Sequence, residues 1–593
     1  MHSGVQLAPR SLVVSLDIGT HGSGFAFATR TTAGGHTPVK LHEAWPAQPA
    51  PYPKTRSAIL YDGRSPIAWG YSAIRKLCDL QDAGHDISRY HLVKDFKLAL
   101  QDAGQAAALP PGLRPETVMA DFLTFLRKYT LEQLSGEVGA AAARLENIQW
   151  CLTVPAMWSE GSKALMRTAA LRAGLIRTAN SDALTIILEP EAAALHALDK
   201  QAPPLVAGMS VMVLDVGGGT ADATVHNCQA LGGQAVLSEA TCAEGALCGS
   251  VFVDAEFKAY YRAAVGATAF DAWSSQYPAS LQQVIDKWEA VKCSFASDHT
   301  GSLSQSLGQL GLNADGLGSG PAMRVPIPPE LARLMTQEQR AALQRQQQGQ
   351  TTEVLLSSAV LRQLFQGPVE AVCRLAVSQL RAATSLGASG PCSMVLLVGG
   401  FARSPYLQAR VRAAVVATGL TRQLVVPPAP HAAVLGGAVV YGFSPARIHA
   451  RRSRMMYGVR CSSPYVEGAP GKFMHEEEKV WYTNGMLQVY CKKNELIAHN
   501  QEVVHTFSPL YQSLTSVTNQ LYATDNNTTK YVEDSDVNMK KLGELTVTVP
   551  PHAPGANRSI RVRLKFGQSA IAASAWDEAT HTVVDTSIVF AHS

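Results

Sequence analysis

Two stretches of this chain are written to one plan, and together they restrict its fold more than any other feature. The first is Leu16-Asp17-Ile18-Gly19-Thr20-His21-Gly22, and the second is Leu214-Asp215-Val216-Gly217-Gly218-Gly219-Thr220-Ala221-Asp222. In each, an apolar run delivers an Asp to its end, glycine permits a tight turn, and a second strand-like run returns. In such a hairpin, successive backbone N–H groups and the Thr hydroxyl can face a phosphate. The Asp then stands beside the phosphate's metal ion. One Asp-x-Gly turn is more often only a hairpin. Two of the same form, about two hundred residues apart, could clamp one polyphosphate from both sides.

Two further elements fit the same site. Val398-Gly399-Gly400-Phe401-Ala402-Arg403-Ser404-Pro405 follows a strand-like run and opens a helix. Its glycines let a flat base or sugar approach the backbone, and Arg403 can stack on an adenine. Alone, it would be a plain strand-to-helix turn. Leu188-Glu189-Pro190-Glu191 also lies where a strand becomes a helix. Pro190 suits the first turn, and both Glu residues suit its positive end. Glu189 could instead hold a metal-bound water.

The surroundings of these loops alternate between strand and helix patterns up to about residue 445, as in an α/β domain. Strands are expected at Ser11–Ile18, Gly24–Thr29, Ile148–Val154, Leu184–Leu188, Val211–Val216 and Ser393–Val398. Helices are expected at Gly161–Gly174, Glu189–Leu198, Val251–Tyr261, Leu281–Phe295, Ser357–Ala383 and Pro405–Thr418. The last of these has Ser404 as cap and Pro405 at its first position. From about Tyr457 the pattern becomes alternating and all-β, as in Leu545–Val549, Ser559–Phe566 and Ile571–Trp576. The basic stretch Arg447–Arg454 reads as a linker. Ser302–Gly320 and the Gln-rich Gln337–Gln350 read as surface insertions. Apart from the Asp-x-Gly loops, no long internal repeat is visible.

A chain of 593 residues exceeds one compact core. Its net charge of +4 offers no argument for nucleic acid or an anionic membrane. The ten cysteines form no Cys-x-x-Cys pair and no metal-ligand spacing with His, which favours a reducing compartment. The N-terminus does not read as a signal peptide, because its apolar run ends at Asp17. The uncharged stretch Leu424–Phe443 is broken by prolines and is too short beyond them to span a bilayer.

Together the motifs resemble the 70-kDa heat-shock proteins, within the actin and sugar-kinase superfamily, over residues 11 to 442. Leu152-Thr153-Val154-Pro155-Ala156 with Lys163, Glu189-Pro190 with Ala192-Ala193, and Trp288-Glu289-Ala290-Val291-Lys292 resemble the heat-shock side rather than the sugar kinases. Lys54-Thr55, Phe96-Lys97, Leu435-Gly436-Gly437-Ala438-Val439 and Arg452–Val459 resemble the divergent member-12 branch. The resemblance implies a two-lobed, actin-like ATPase domain (a ribonuclease H-like repeat) at 1–446, a basic linker at 447–456 and a β-sandwich-like partner-binding domain at 457–593. It implies ATP or ADP with Mg²⁺, and K⁺ as a further ion. Asp17 and Asp215, with Glu189, would hold Mg²⁺ through water, which suits an ion reluctant to dehydrate. Gly19, Thr20, His21, Gly217, Gly218 and Gly219 would meet phosphate, and Thr220 the γ-phosphate. Glu189 and Asp222 would orient water or cations. Glu289 and Lys292 would meet the ribose, and Gly249, Gly399, Gly400, Phe401 and Arg403 complete the nucleotide set. Lys97 or Lys94 would be the phosphate lysine, and Pro155 with Lys163 a nucleotide-sensing switch.

The sequence also departs from the family. His21 stands for a Thr, Cys293 for an Arg, and Phe401 for a Ser. The linker is basic where the family's is acidic and Leu-rich, so the usual coupling between domains is not expected. The run to Ser593 leaves no length for the family's helical lid or its acidic C-terminal tetrapeptide. The expectation is a slow, atypical ATPase of the cytoplasm or nucleus that binds proteins or unfolded peptides. The alternatives are a non-hydrolysing ATP-dependent scaffold and a small-molecule kinase of the same superfold.

Overall fold

The computed structural model describes residues 10–32, 35–101, 109–200, 205–296, 323–347, 349, 351–387, 390–511, 513–533, 538–548, 559–566, 571–578 and 583–586. The expected insertion Ser302–Gly320 lies outside them.

The first lobe is built on Leu12–Ile18, all seven residues of which are buried. A run buried on both faces suits a central strand of a covered sheet. It pairs antiparallel with Gly22–Thr29 and parallel with Ile148–Val154, which runs parallel to Leu184–Leu188. Lys40–Leu41 lies beyond Gly22–Thr29. The second lobe has the same order. Ser210–Val216 pairs antiparallel with Ala221–Leu231 and parallel with Met394–Val398, which is followed by Leu424–Val425. Gln234–Glu239 lies beyond Ala221–Leu231. The chain therefore does contain a long internal repeat, but one of strand order rather than of residues. This is the expected two-lobed α/β arrangement.

The lobes meet at two helices. Ala433–Phe443 carries no charge and is buried from Ala433 to Tyr441. Its Leu435 and Val439 pack with Val13 and Ala26 of the first sheet, and its Val434, Ala438 and Val440 pack with Val211 and Met394 of the second. Glu189–Lys200 crosses it so closely that a Cβ on Gly437 would run into the Ala192 carbonyl. The small residues at Ala192-Ala193 and Gly436-Gly437 are thus two sides of one contact. This explains why both motifs stand out in the sequence. Ser404 caps Pro405–Val416 as expected, its Oγ accepting from the Leu407 N–H at 3.4 Å.

After Arg447 no helix occurs among the described residues. Five strands, ordered Lys472–Met474, Trp481–Cys491, Met456–Pro464, Ser516–Thr524 and Lys540–Thr548, form one sheet. Glu502–Phe507, Ile560–Lys565, Ala572–Asp577 and Val583–Thr586 form another. Tyr457, Leu521 and Leu545 from the first share an apolar cluster with Val562, Leu564 and Ala575 from the second. In Lys540–Thr548, Leu545 and Val547 point inward while Glu544, Thr546 and Thr548 are exposed. This alternation is that of a sheet wet on one face.

Two expectations change. The Gln-rich segment holds a helix, Gln337–Gln346, with a capping box from Thr336 and Gln339 and a buried Leu343. The stretch 447–456 is not a free tether. Ile448–Arg452 is a strand, parallel to Gln234–Glu239 on one side and antiparallel to Leu496–Ala498 on the other. The second-lobe sheet thereby continues into the β module. The arginines enter because carboxylates and carbonyls wait for them. Arg451 grips the buried Glu191 at 2.5 and 2.9 Å. The Arg452 backbone N–H donates to Glu239 at 2.7 Å and its side chain to the Ala240 carbonyl at 2.8 Å. No helix among the described residues is long and apolar enough to cross a membrane.

Candidate functional site

The two Asp loops face each other across a cleft of about 270 Å³. They nearly touch: a Cβ on Gly218 would lie 2.8 Å from the His21 Cβ, and one on Gly219 would run into the Thr20 hydroxyl. Glycine is therefore obligatory where the second loop passes the first. The second loop is braced from behind by the start of helix Ser250–Val265. The N–H groups of Gly249, Ser250 and Val251 donate to the carbonyls of Gly219, Gly217 and Gly218 at 3.1, 3.1 and 2.8 Å. The loop's carbonyls are turned away from the cleft in this way.

Almost all the residues expected from the sequence line this one cleft: Asp17, Gly19, Thr20, His21, Lys97, Glu189, Asp215, Gly217, Gly218, Gly219, Thr220, Glu289, Lys292, Gly399, Gly400, Phe401 and Arg403. Gly249 stands behind the loop it braces, and Ser250 takes its place in the lining. Asp222 lies just behind the surface, its Oδ1 accepting from the Met157 N–H at 3.1 Å. Of the two candidate lysines, Lys97 is at the cleft, where its Nζ meets Glu189 at 2.5 Å. Lys94 turns toward a second cavity and donates to Gln282 at 2.5 Å.

The first wall is donor-rich. Asp17 accepts from Lys54 Nζ at 2.6 Å and from the Thr153 hydroxyl at 2.8 Å. Burial alone would raise its carboxyl, but the ammonium groups of Lys54 and Lys97 hold it below its ordinary value. The second wall is acid-rich. Burial, then the neighbouring Glu189 and Asp222, raise the Asp215 carboxyl well above the usual range. Burial also raises Asp222 and pushes Glu189 up to about 7, Lys97 opposing the shift in Glu189. Asp222 Oδ2 is buried with no hydrogen-bond partner. Crowded carboxyls with a spare oxygen suit a hydrated cation. Among the described residues no three His, Cys, Asp or Glu groups are placed to hold a metal directly.

Helix Pro278–Ser294 supplies the outer side. Lys292 pairs with Glu289 and Asp254, each at 2.8 Å, and this pairing outweighs burial to lower the Glu289 carboxyl to about 2. Gly399 has φ +95°, and a Cβ there would run into Asp215 Oδ1 and the Val216 carbonyl. Gly400 has open space before it. Arg403 does stack, but on Tyr52 of the first lobe, 5.5 Å from the ring centroid, and Tyr52 stacks on His431 at 4.7 Å. His21, where a Thr was expected, meets the Arg56 guanidinium. Burial and Arg56 keep its imidazole neutral.

Sequence reasoning assigned no role to Lys54, Tyr52, Arg56 or Ser250. The only available signal was Lys54-Thr55, and it carried no direction for the side chain.

Known proteins similar to this chain come from one family. Residues 90–313 match the model of the Hsp70 protein family. The chain is 25% identical to heat shock 70 kDa protein 12B of Homo sapiens, over 99% of its own length and 92% of that protein's. It is 25% identical to heat shock 70 kDa protein 12A of Homo sapiens and 24% identical to that of Mus musculus, in both cases over 98% of this chain and 91% of the relative.

Proposed function

The chain is a divergent, ATP-binding relative of the 70-kDa heat-shock proteins, of the member-12 kind, and from that premise we propose that it hydrolyses ATP slowly and carries polypeptide-binding capacity on its β module. The observation that supports hydrolysis is the meeting of Lys97, Glu189, Asp215 and Thr220 at one cleft between two glycine-rich loops. Bound Mg²⁺ would supply charge neutralisation at the phosphate oxygens. Asp215 and Glu189 would hold its waters, with Asp17 facing them from the first loop. The N–H groups of Gly218 and Gly219 and the Thr20 and Thr220 hydroxyls position the phosphate chain, while the Gly217 N–H closes the hairpin on the Thr220 carbonyl at 2.9 Å. Lys97 orients Glu189, which with Asp222 holds the attacking water in line. Position and charge, rather than covalent chemistry, carry such a reaction.

We assign the ATPase unit to 1–446 and the partner-binding unit to 457–593. Lys472–Met474 is an edge strand of the five-stranded sheet. Val466, Met474, Val480 and Trp481 are exposed around it. An edge with apolar neighbours suits an extended peptide. The cysteines, all free, suit a cytoplasmic protein.

Titration calorimetry with Mg-ATP, followed by single-turnover hydrolysis in wild type and Asp215→Asn, tests the reading. The expected result is ATP binding by both and a rate at least about a hundredfold lower in the variant. Equal background rates with ATP bound would make the chain a scaffold. Absence of ATP binding by the wild type would remove the site altogether.

A further inference from the structure

Lys54 has a placement that the reaction described above does not use. It immediately precedes Thr55–Arg56, which pairs with Gly22 and Ser23 at the returning side of the first loop. Its aliphatic stem lies over two glycines: a Cβ on Gly22 would lie 3.4 Å from Lys54 Cβ, and one on Gly24 would lie 3.2 Å from Lys54 Cγ. Gly24 is the residue opposite Asp17 in the strand pair. In the second lobe the corresponding position, opposite Asp215, is Asp222. Where one lobe places a carboxylate, the other has no side chain, and a lysine from outside the pair fills the slot.

The ammonium ends at the cleft. Both oxygens of Asp17 are engaged by protein donors, Oδ2 by Lys54 at 2.6 Å and Oδ1 by Thr153 at 2.8 Å. The Asp17 side chain is 3% exposed and that of Lys54 15%, so of the two the lysine presents more of itself to the cavity that both line. A lysine has three donors, and one is spent on Asp17. Lys97 stands on Glu189 at the same cleft. A buried ion pair is a weak device for stability alone, because desolvation offsets the attraction.

We infer that Lys54 is a second phosphate-binding lysine, fixed in the first-lobe wall, and that Asp17 acts chiefly by holding it there. This rests on the reading of the cleft as an ATP site and assigns that site's first wall to the triphosphate itself rather than to the metal ion. Charge would reach the phosphates from two lysines on the protein in addition to any bound cation.

The test is ATP binding by calorimetry, in Mg²⁺ and in EDTA, for wild type, Lys54→Met, Asp17→Asn and the double variant. Lys54→Met should weaken ATP by about tenfold or more in both buffers. Asp17→Asn should cost the same in EDTA as in Mg²⁺, and the double variant should be no worse than either single. The double variant leaves no unpaired charge, so it gives the reading even where a single variant fails to fold. ATP binding by Lys54→Met or the double variant at the wild-type level overturns the inference. So does an Asp17→Asn defect confined to Mg²⁺, which would make Asp17 a metal-binding residue. If wild type itself binds no Mg-ATP, the ATP reading falls first. If it binds and the lysine variants bind equally, only the inference falls.

Discussion

Asp17 and Asp215 end equivalent strands in two sheets of the same order, yet their neighbours are opposite in character. Across the antiparallel pair, Asp17 faces Gly24 and Asp215 faces Asp222. Across the parallel pair, Asp17 faces Thr153 and Asp215 faces Val398. The first Asp therefore gains a hydroxyl and, through the space over Gly24, a lysine. The second gains a carboxylate and an apolar neighbour. One carboxyl is held low and the other pushed high. The repeat makes the fold symmetric, while a few side chains make its two walls electrically unlike. A phosphate chain accompanied by a cation needs both kinds of wall.

The largest test of this contrast is stability without nucleotide. Asp17→Asn leaves Lys54 buried without its counter-charge and should cost about 3–5 kcal/mol in denaturant unfolding. Asp215→Asn should have the opposite sign, and two destabilising results would break the comparison. Next, Gly399→Ala should cost about 2–3 kcal/mol, since a Cβ would meet Asp215 at a positive φ. Gly400→Ala, facing open space, should change the same melting curve little.

A smaller effect comes from pH. In the folded chain Glu189 is pushed up to about 7 from an ordinary carboxyl value of 4.5. Its pKa is raised by burial, held back by Lys97, and raised further by Asp17 and Asp222. Between those values the folded chain keeps a proton the unfolded chain has lost. Stability present below pH 4.5 is therefore lost as pH rises through about 7, by roughly 1–3 kcal/mol. Glu239, raised to about 7 by burial and Glu191, adds a slope of the same sign elsewhere. Glu189→Gln should flatten the melting profile without abolishing its slope. The smallest effect is the gain from Asp215→Asn itself, about 1 kcal/mol, for removing one of two carboxyls directly opposite each other.

Local pattern made the central elements legible. Ile148–Val154 and Leu184–Leu188 have their expected bounds, and Ser210–Val216 and Met394–Val398 differ from expectation by one residue at their starts. These are short apolar runs ending at glycine, proline or acid, so their ends are written in the chain. Ser65–Trp69 carries a mixed pattern with one buried residue and gave no comparable signal. Gly249, expected in the nucleotide set, lies behind the second loop and braces it. Which residue of a helix start reaches the ligand and which braces the loop depends on the next layer of packing.

From residue types and spacing alone, the chain already had two Asp–Gly loops, a Glu at a helix start and a Gly-Gly turn in the order of a bilobed nucleotide site. Each is a local device whose chemistry survives translation into one dimension. The charge of each wall could not be read that way, nor could the docking of the arginine strand at 448–452. Lys54 reaches Asp17 only because Gly24 lies opposite it in register, and Arg451 is tolerated in the interior only because Glu191 comes to it from a helix 260 residues earlier. Coulomb energy depends on distance and burial, and both exist only after the chain has folded.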